Sequence, residues 1–197
     1  MEPLFGFPLV PTLVDSAALT KYNETMETEA LKIYKYGDKV LKEKAGDIRN
    51  IDQRIVDLAA AMTQTMHGAP GIGLAAPQVG ESLRLITLDL SVGENPEELL
   101  VVVNPCIIES EGQETGEEGC LSVPGYSLAI RRNFRLLLAG ILLDGSELRA
   151  EFEGLKARVL QHEIDHLDGF TIVDRVSTLK RSLIRKEIRH KRKSGEW

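Results

Sequence analysis

The sequence predicts an α+β fold: small antiparallel β-sheets packed around a central buried helix, with a further helix toward the C-terminal end. Three observations predict it. Apolar residues recur at helical spacing in three separate segments, and short apolar runs bounded by Gly, Asp and Asn turn signals lie between the first and the second. The third is bulk: 197 residues, 43% hydrophobic and 27% charged, supply one core of ordinary size.

Residues 1–29 follow neither period and hold one basic residue, Lys21, against five acidic ones. They read as a loosely ordered N-terminal extension or leader. Met26 is itself able to begin a chain, and the charge suits neither a secretory nor an organellar signal. Residues 30–197 are expected to form a single domain. Its first helix carries Ile51, Ile55, Leu58, Met62 and Met66 on one face, with Asn50 as the predicted N-cap and Gly68 just beyond the end. A glycine-rich loop follows from Gly68. Leu83–Leu90, Leu99–Val103 and Arg135–Leu143 read as strands, and Asp144-Gly145 turns the last of them back toward Leu148. From about Gly154 to Leu167, Leu155, Val159, His162 and His166 share one side while Leu160, Ile164 and Leu167 lie beside them. So wide an apolar surface predicts a buried helix. The last helix, roughly residues 177–192, is expected to face the body with Val176, Leu179, Leu183 and Ile184.

The net charge of −6 is unevenly spread. Arg175 to Lys193 hold nine basic residues against Glu187 alone, so the rest of the chain is strongly acidic. An acidic body excludes a general DNA-coating protein, whereas the basic C-terminal helix is a candidate for docking on a polyanion such as the ribosome surface. No run approaches the roughly 18 apolar residues a membrane span requires, and Leu4–Val14 is broken by Pro8 and Pro11. Two cysteines, Cys106 and Cys120, are too few for a disulfide framework and suit a reducing compartment, the cytoplasm.

The strongest chemical signal is His162-Glu163-Ile164-Asp165-His166. Helical residues four apart share a face, so the two imidazoles can grip one divalent metal ion and make this the metal-binding helix. Two unligated imidazoles and a lone carboxylate would be costly on a helix otherwise built of Leu, Val and Ile, and a cation resolves that cost. Glu163 then stands where it can take a proton from a water the metal activates and hand it to a leaving group.

The third ligand decides the reaction class. A metzincin would need His at position 172, which is Ile172. A thermolysin-like site would need a Glu on a following helix, for which Glu187 is the candidate. Upstream, Glu117-Glu118-Gly119-Cys120-Leu121-Ser122 offers a thiolate, which with two imidazoles suits zinc or ferrous iron. Cys106, after Pro105 in an apolar run, reads as structural. A further segment, Gly71-Ile72-Gly73-Leu74-Ala75-Ala76-Pro77-Gln78, has glycines that let a substrate backbone approach and an amide, Gln78, able to donate to a developing oxyanion. Pro77 and the lack of a preceding strand argue against a nucleotide loop.

Together and in this order, the segments Gly71–Gln78, Glu118–Ser122 and Gln161–His166 resemble the peptide deformylase family, over about residues 32–175. The resemblance implies hydrolysis of the formyl group from the N-terminal formylmethionine of nascent polypeptides, with release of formate. It implies one divalent metal ion per chain on Cys120, His162 and His166, Fe2+ being the expected native ion and Zn2+, Ni2+ or Co2+ its alternatives. Glu163 is implied as the acid/base, and the Gln78 side chain and the Leu121 backbone N–H as oxyanion donors. A methionine side chain needs an apolar slot, for which Val159 and Leu155 on the helix and Ile72 and Gly73 on the loop are the candidates. The sequence departs from the family in the extension and where the usual Gly-Asp-Pro reads Gly37-Asp38-Lys39. A His-Glu-x-x-His zinc endopeptidase is the alternative function, and a non-catalytic module with structural zinc would need a fourth protein ligand.

Overall fold

The computed structural model describes residues 30–197 and, within the N-terminal extension, only the two-residue strand β1 (Leu13–Val14). The order expected for the rest of residues 1–29 lies outside the described residues. Strand β1 pairs in parallel with β2 (Asn50–Ile51). Helix α1 (Gln53–Gly68) follows directly. Asn50 is therefore not its N-cap: Asp52 is, its carboxylate accepting the Ile55 N–H at 3.1 Å. Both residues suit an N-cap, and strand pairing claims Asn50. Gly68 is the last residue of the helix instead of the first beyond it.

A five-stranded antiparallel sheet forms the centre, in the order β3 (Gly73–Ala75), β4 (Leu85–Leu88), β5 (Leu100–Glu111), β8 (Arg135–Ile141), β9 (Glu147–Glu153). The first three strands are sandwiched. Leu74, Leu85, Val101 and Val103 face Ile55, Ala59, Met62 and Met66 of α1, whereas Ala75, Ile86, Leu88 and Val102 face Val159, Leu160 and Ile164 of α2 (Gly154–Leu167). This period-two alternation explains why β4 is apolar at nearly every position: both of its faces are covered by a helix. Thr87, its one polar residue, meets Thr63 of α1 at 3.1 Å.

Strand β5 runs well past its predicted end. Register shifts at Val103/Cys106 and Ile107/Glu109 bend it, and Asn104 adopts φ 51° there while its amide bonds both the N–H and the C=O of Ile48. The β8–β9 turn at Asp144-Gly145 forms as expected, with Asp144 accepting from the Ser146 N–H. Between β5 and β8 lies a hairpin absent from the sequence reading, β6 (Glu114–Glu118) and β7 (Leu128–Arg132). Its first strand is polar, which hid it.

The final helix, α3 (Thr178–Ser194), docks through Ile184 and Ile188 onto Tyr36, Val123, Ile130 and Val173. Leu179 and Leu183, expected to face the body, are instead 73% and 60% exposed. The residues meeting the body fall one helical step round from the predicted face. Among the described residues no helix is long and apolar enough to cross a membrane.

Candidate metal centre

Helix α2 begins against the sheet and is buried from Ala157 to Leu167, so its polar side chains are fixed by partners and not by water. His162 and His166 project from one face, as their spacing requires, with rings 5.1 Å apart. The loop after β6 brings Cys120 to them. Ligand atoms of Cys120, His162 and His166 all lie within 4.8 Å of one another, and Cys120 Sγ is 3.2 Å from His166 Nε2. Glu187, the other candidate for third ligand, sits on α3 and pairs with Lys191 at 3.1 Å. Cys106 lies in β5, half-buried, away from this cluster.

Two buried polar atoms here have no hydrogen-bond partner, Glu163 Oε2 and His166 Nδ1. The Glu163 orphan is costly in a closed interior and is expected where an ion and its waters belong, whereas His166 faces the cluster with its other nitrogen, Nε2. A thiolate with two imidazoles is a donor set suited to zinc or ferrous iron, so the residues present fit a single divalent ion.

The imidazoles are oriented from behind. His162 Nδ1 lies 3.0 Å from Glu118 Oε2, which turns the other ring nitrogen toward the cluster. Glu118 is itself held by Arg132 through two contacts of 2.9 Å and by Arg158 at 2.9 Å, and Arg132 reaches on to Asp165 at 2.6 Å. Burial pushes the Glu118 carboxyl up, but the His162 and Arg132 hydrogen bonds outweigh it and hold it at about 2. Burial likewise opposes the charged form of His162, and Cys120 and Glu118 raise it well above its ordinary value. Burial and then the nearby His162 and Arg132 charges keep His166 well below the usual range. Glu163 is pushed up to about 7, mainly by burial.

The glycine-rich segment packs against this helix. A Cβ on Gly73 would sit 2.4 Å from Glu163 Oε1 and 2.7 Å from Val159 Cγ1, so only glycine fits there. Gln78 lies on the short 3-10 helix after β3 and is buried. Its Oε1 accepts the Ala75 N–H at 2.7 Å, which fixes the amide so that Nε2 faces Ser122 Oγ at 3.3 Å and Cys120 Sγ at 3.8 Å. Among the described residues no hydrogen bond uses the Leu121 N–H. A cleft of about 470 Å³ opens over these groups, walled by three segments, residues 70–73, 117–126 and 155–163. Ile72, Gly73, Leu155 and Val159 all line it. Leu155 is 54% exposed and stands at the rim, whereas Val159 is buried within.

Both the sequence and the fold have close counterparts. The sequence profile of the polypeptide deformylase family matches residues 30–182. The chain belongs to the polypeptide deformylase family. A peptide deformylase of Thermodesulfovibrio yellowstonii is 48% identical over 162 residues, spanning 82% of this chain and 98% of its own. Among solved structures, a peptide deformylase from Legionella pneumophila superposes with a TM-score of 0.78 at 38% identity, covering 86% of this chain and 99% of that one. Another from Acinetobacter baumannii, solved with Met-Ala-Ser bound, gives 0.71 at 34% identity over 76% of this chain and 100% of that one. Like other polypeptide deformylases the chain is a metal-dependent hydrolase, and its α+β architecture is the one these relatives share. The endopeptidase alternative finds no support in the family match.

The residues that sequence reasoning missed are Glu118, Arg132, Arg158 and Asp165. Adjacent Glu117-Glu118 looks like a solvated pair, and only the strand alternation of β6, which turns the two to opposite faces, would have separated them.

Proposed function

We propose that this deformylase removes the formyl group from N-terminal formylmethionine of nascent chains, with Glu163 as proton carrier and Gln78 and Leu121 as oxyanion donors. The observation that carries the reading is the meeting of Cys120, His162 and His166 within 4.8 Å, with Glu163 and the Gln78 amide at the same cleft. Cys120, His162 and His166 would hold one divalent ion, a Lewis acid that brings the pKa of water toward neutrality. Iron(II) is the native ion in this reading, and zinc, nickel or cobalt can take its place on the same donors.

The chain's own groups supply the rest. Water adds to the formyl carbon, and Glu163 accepts its proton. The carbonyl oxygen becomes an oxyanion that the Gln78 Nε2–H, its amide fixed by the Ala75 N–H, and the uncommitted Leu121 N–H meet. Glu163 returns the proton to the amine as the C–N bond breaks, leaving formate and a free methionyl N-terminus. Val159, with Leu155 at the rim and Ile72 opposite, receives the methionine side chain, and the missing side chain of Gly73 leaves room for the Glu163 carboxylate beside it. Because β3 is an edge strand of its sheet, an extended peptide can lie alongside it. The Met-Ala-Ser bound to the Acinetobacter baumannii relative has the chemistry of such a product.

The cytoplasm, where thiols stay reduced, is the compartment this reading assigns, and the basic helix α3 is its docking element for the ribosome. Formate release from formyl-Met-Ala-Ser, measured beside cleavage of casein, tests the function: casein cleavage without formate release would overturn it. Metal analysis of protein purified without oxygen tests the ion. Cys120→Ser should weaken metal binding, since a hydroxyl is a poorer anionic donor than a thiol. An unchanged thiolate charge-transfer band in the cobalt-substituted variant would remove Cys120 from the ligand set.

A further inference from the structure

Three segments wall the cleft, and two of them, residues 70–73 and 155–163, carry the apolar slot assigned to methionine. The third ends in Tyr126. Two successive turns tie this residue to Cys120, the Val123 N–H donating to the Cys120 C=O at 2.8 Å and the Tyr126 N–H to the Val123 C=O at 3.3 Å. Tyr126 thereby lines the cleft at a fixed place relative to the metal ligands and apart from the residues assigned to the methionine slot.

The ring is also held from outside the cleft. Trp197 meets it edge to face with centroids 6.2 Å apart, and Lys191 Nζ lies 5.0 Å over it. Both residues come from the far end of the chain. Helix α3 stops at Gly195, whose φ of 78° reverses the backbone, and the Glu196 N–H folds back onto the Lys191 C=O at 2.9 Å. Trp197 is then anchored by its indole N–H, which donates to the Tyr36 C=O at 3.3 Å. A flexible tail would satisfy none of these contacts.

We propose that Tyr126 is a specificity-determining residue for the peptide beyond formylmethionine, and that Trp197 is a positioning residue that holds its ring against the cleft. The proposal rests on the deformylase reading above. A braced ring offers an apolar side chain on the second or third substrate residue a flat, preordered partner, so the benefit appears in binding and not in the chemical step. Substrates that end at methionine do not reach the ring.

Steady-state kinetics on the metal-loaded enzyme with formyl-Met amide and formyl-Met-Leu-Phe test this. Trp197→Ala should raise KM for the tripeptide about fivefold with kcat unchanged, while both constants for formyl-Met amide stay within about twofold of the parent. Trp197→Phe keeps an aromatic edge and should restore the tripeptide KM. In a Tyr126→Ala background, where the tripeptide KM is already raised, Trp197→Ala should add nothing. An unchanged tripeptide KM, an equal rise for both substrates, or additive effects in the double variant would each overturn the proposal. Failure of the parent enzyme to deformylate either substrate would instead overturn the reading on which it rests.

Discussion

Helices α2 and α3 are of similar length, 14 and 17 residues, and both are rich in charge, yet their charges live in opposite environments. From Arg158 onward the polar side chains of α2 are buried, and Arg158, His162 and Asp165 each have a named partner on β6, β7 or beyond. On α3 the body is met by Ile184 and Ile188, while Lys180, Lys186 and Lys193 make no ion pair among the described residues. Burial makes each polar group of α2 matter, because an unpaired charge there cannot fall back on water. Solvent makes most of those on α3 interchangeable. The lesson is where to look for function: in the carboxylate of α2 that is buried at the cleft and still lacks a partner, Glu163 Oε2.

The comparison is sharpest at Glu163. Glu163→Ala removes the proton carrier but no ligand, so turnover should fall by about a thousandfold while metal content holds. Near-normal kcat in a metal-loaded variant would break the assignment. Next comes the supporting network. Arg132→Met takes a buried cation from both Glu118 and Asp165, leaving them only the guanidinium groups of Arg158 and Arg175 respectively, and should cost about 3 kcal/mol in a urea titration, with weaker metal retention because Glu118 orients His162.

A smaller effect is expected where α3 joins the body. Asp174 is a carboxylate that burial pushes up and the Lys42 and Thr171 hydrogen bonds pull below its ordinary value. A depressed carboxyl stabilises the fold above its unfolded pKa of about 4, and that stability is lost as pH falls through the lower folded value. Asp174→Asn should therefore lower the melting temperature near neutral pH and flatten its acid dependence. An unaltered acid limb would show that the pair contributes nothing.

The smallest effect on the enzyme belongs to the outer face of α3. Arg181 and Arg185 are poor probes of it, since Arg181 donates to the Val173 and Asp174 carbonyls and Arg185 to the Tyr36 hydroxyl at 2.8 Å. Lys180, Lys186 and Lys193 reversed together to Glu should change stability and formyl-peptide hydrolysis little, within about 0.5 kcal/mol, yet abolish salt-sensitive co-sedimentation with ribosomes. Retained co-sedimentation at low salt would remove the docking role.

What the sequence determined by itself is what local geometry carries. The His162–His166 spacing places two imidazoles on one helix face whatever the rest of the chain does, and the Asp144-Gly145 turn needs only its neighbours. The apolar runs of β4 and of the start of β5 were visible for the same reason. Tertiary structure decided everything that joins distant residues. Cys120, not Glu187, stands beside the imidazoles because the β6–β7 hairpin folds over α2, and that hairpin stayed hidden behind the polar strand Glu114–Glu118. The inward turn of Glu118 depends on Arg132 and Arg158 arriving from other elements, which no period in the sequence records. The exposed faces of Leu179 and Leu183 follow from the same cause. Several rotations of an amphipathic helix can bury apolar area, and the surface it meets, here Tyr36, Val123, Ile130 and Val173, selects one.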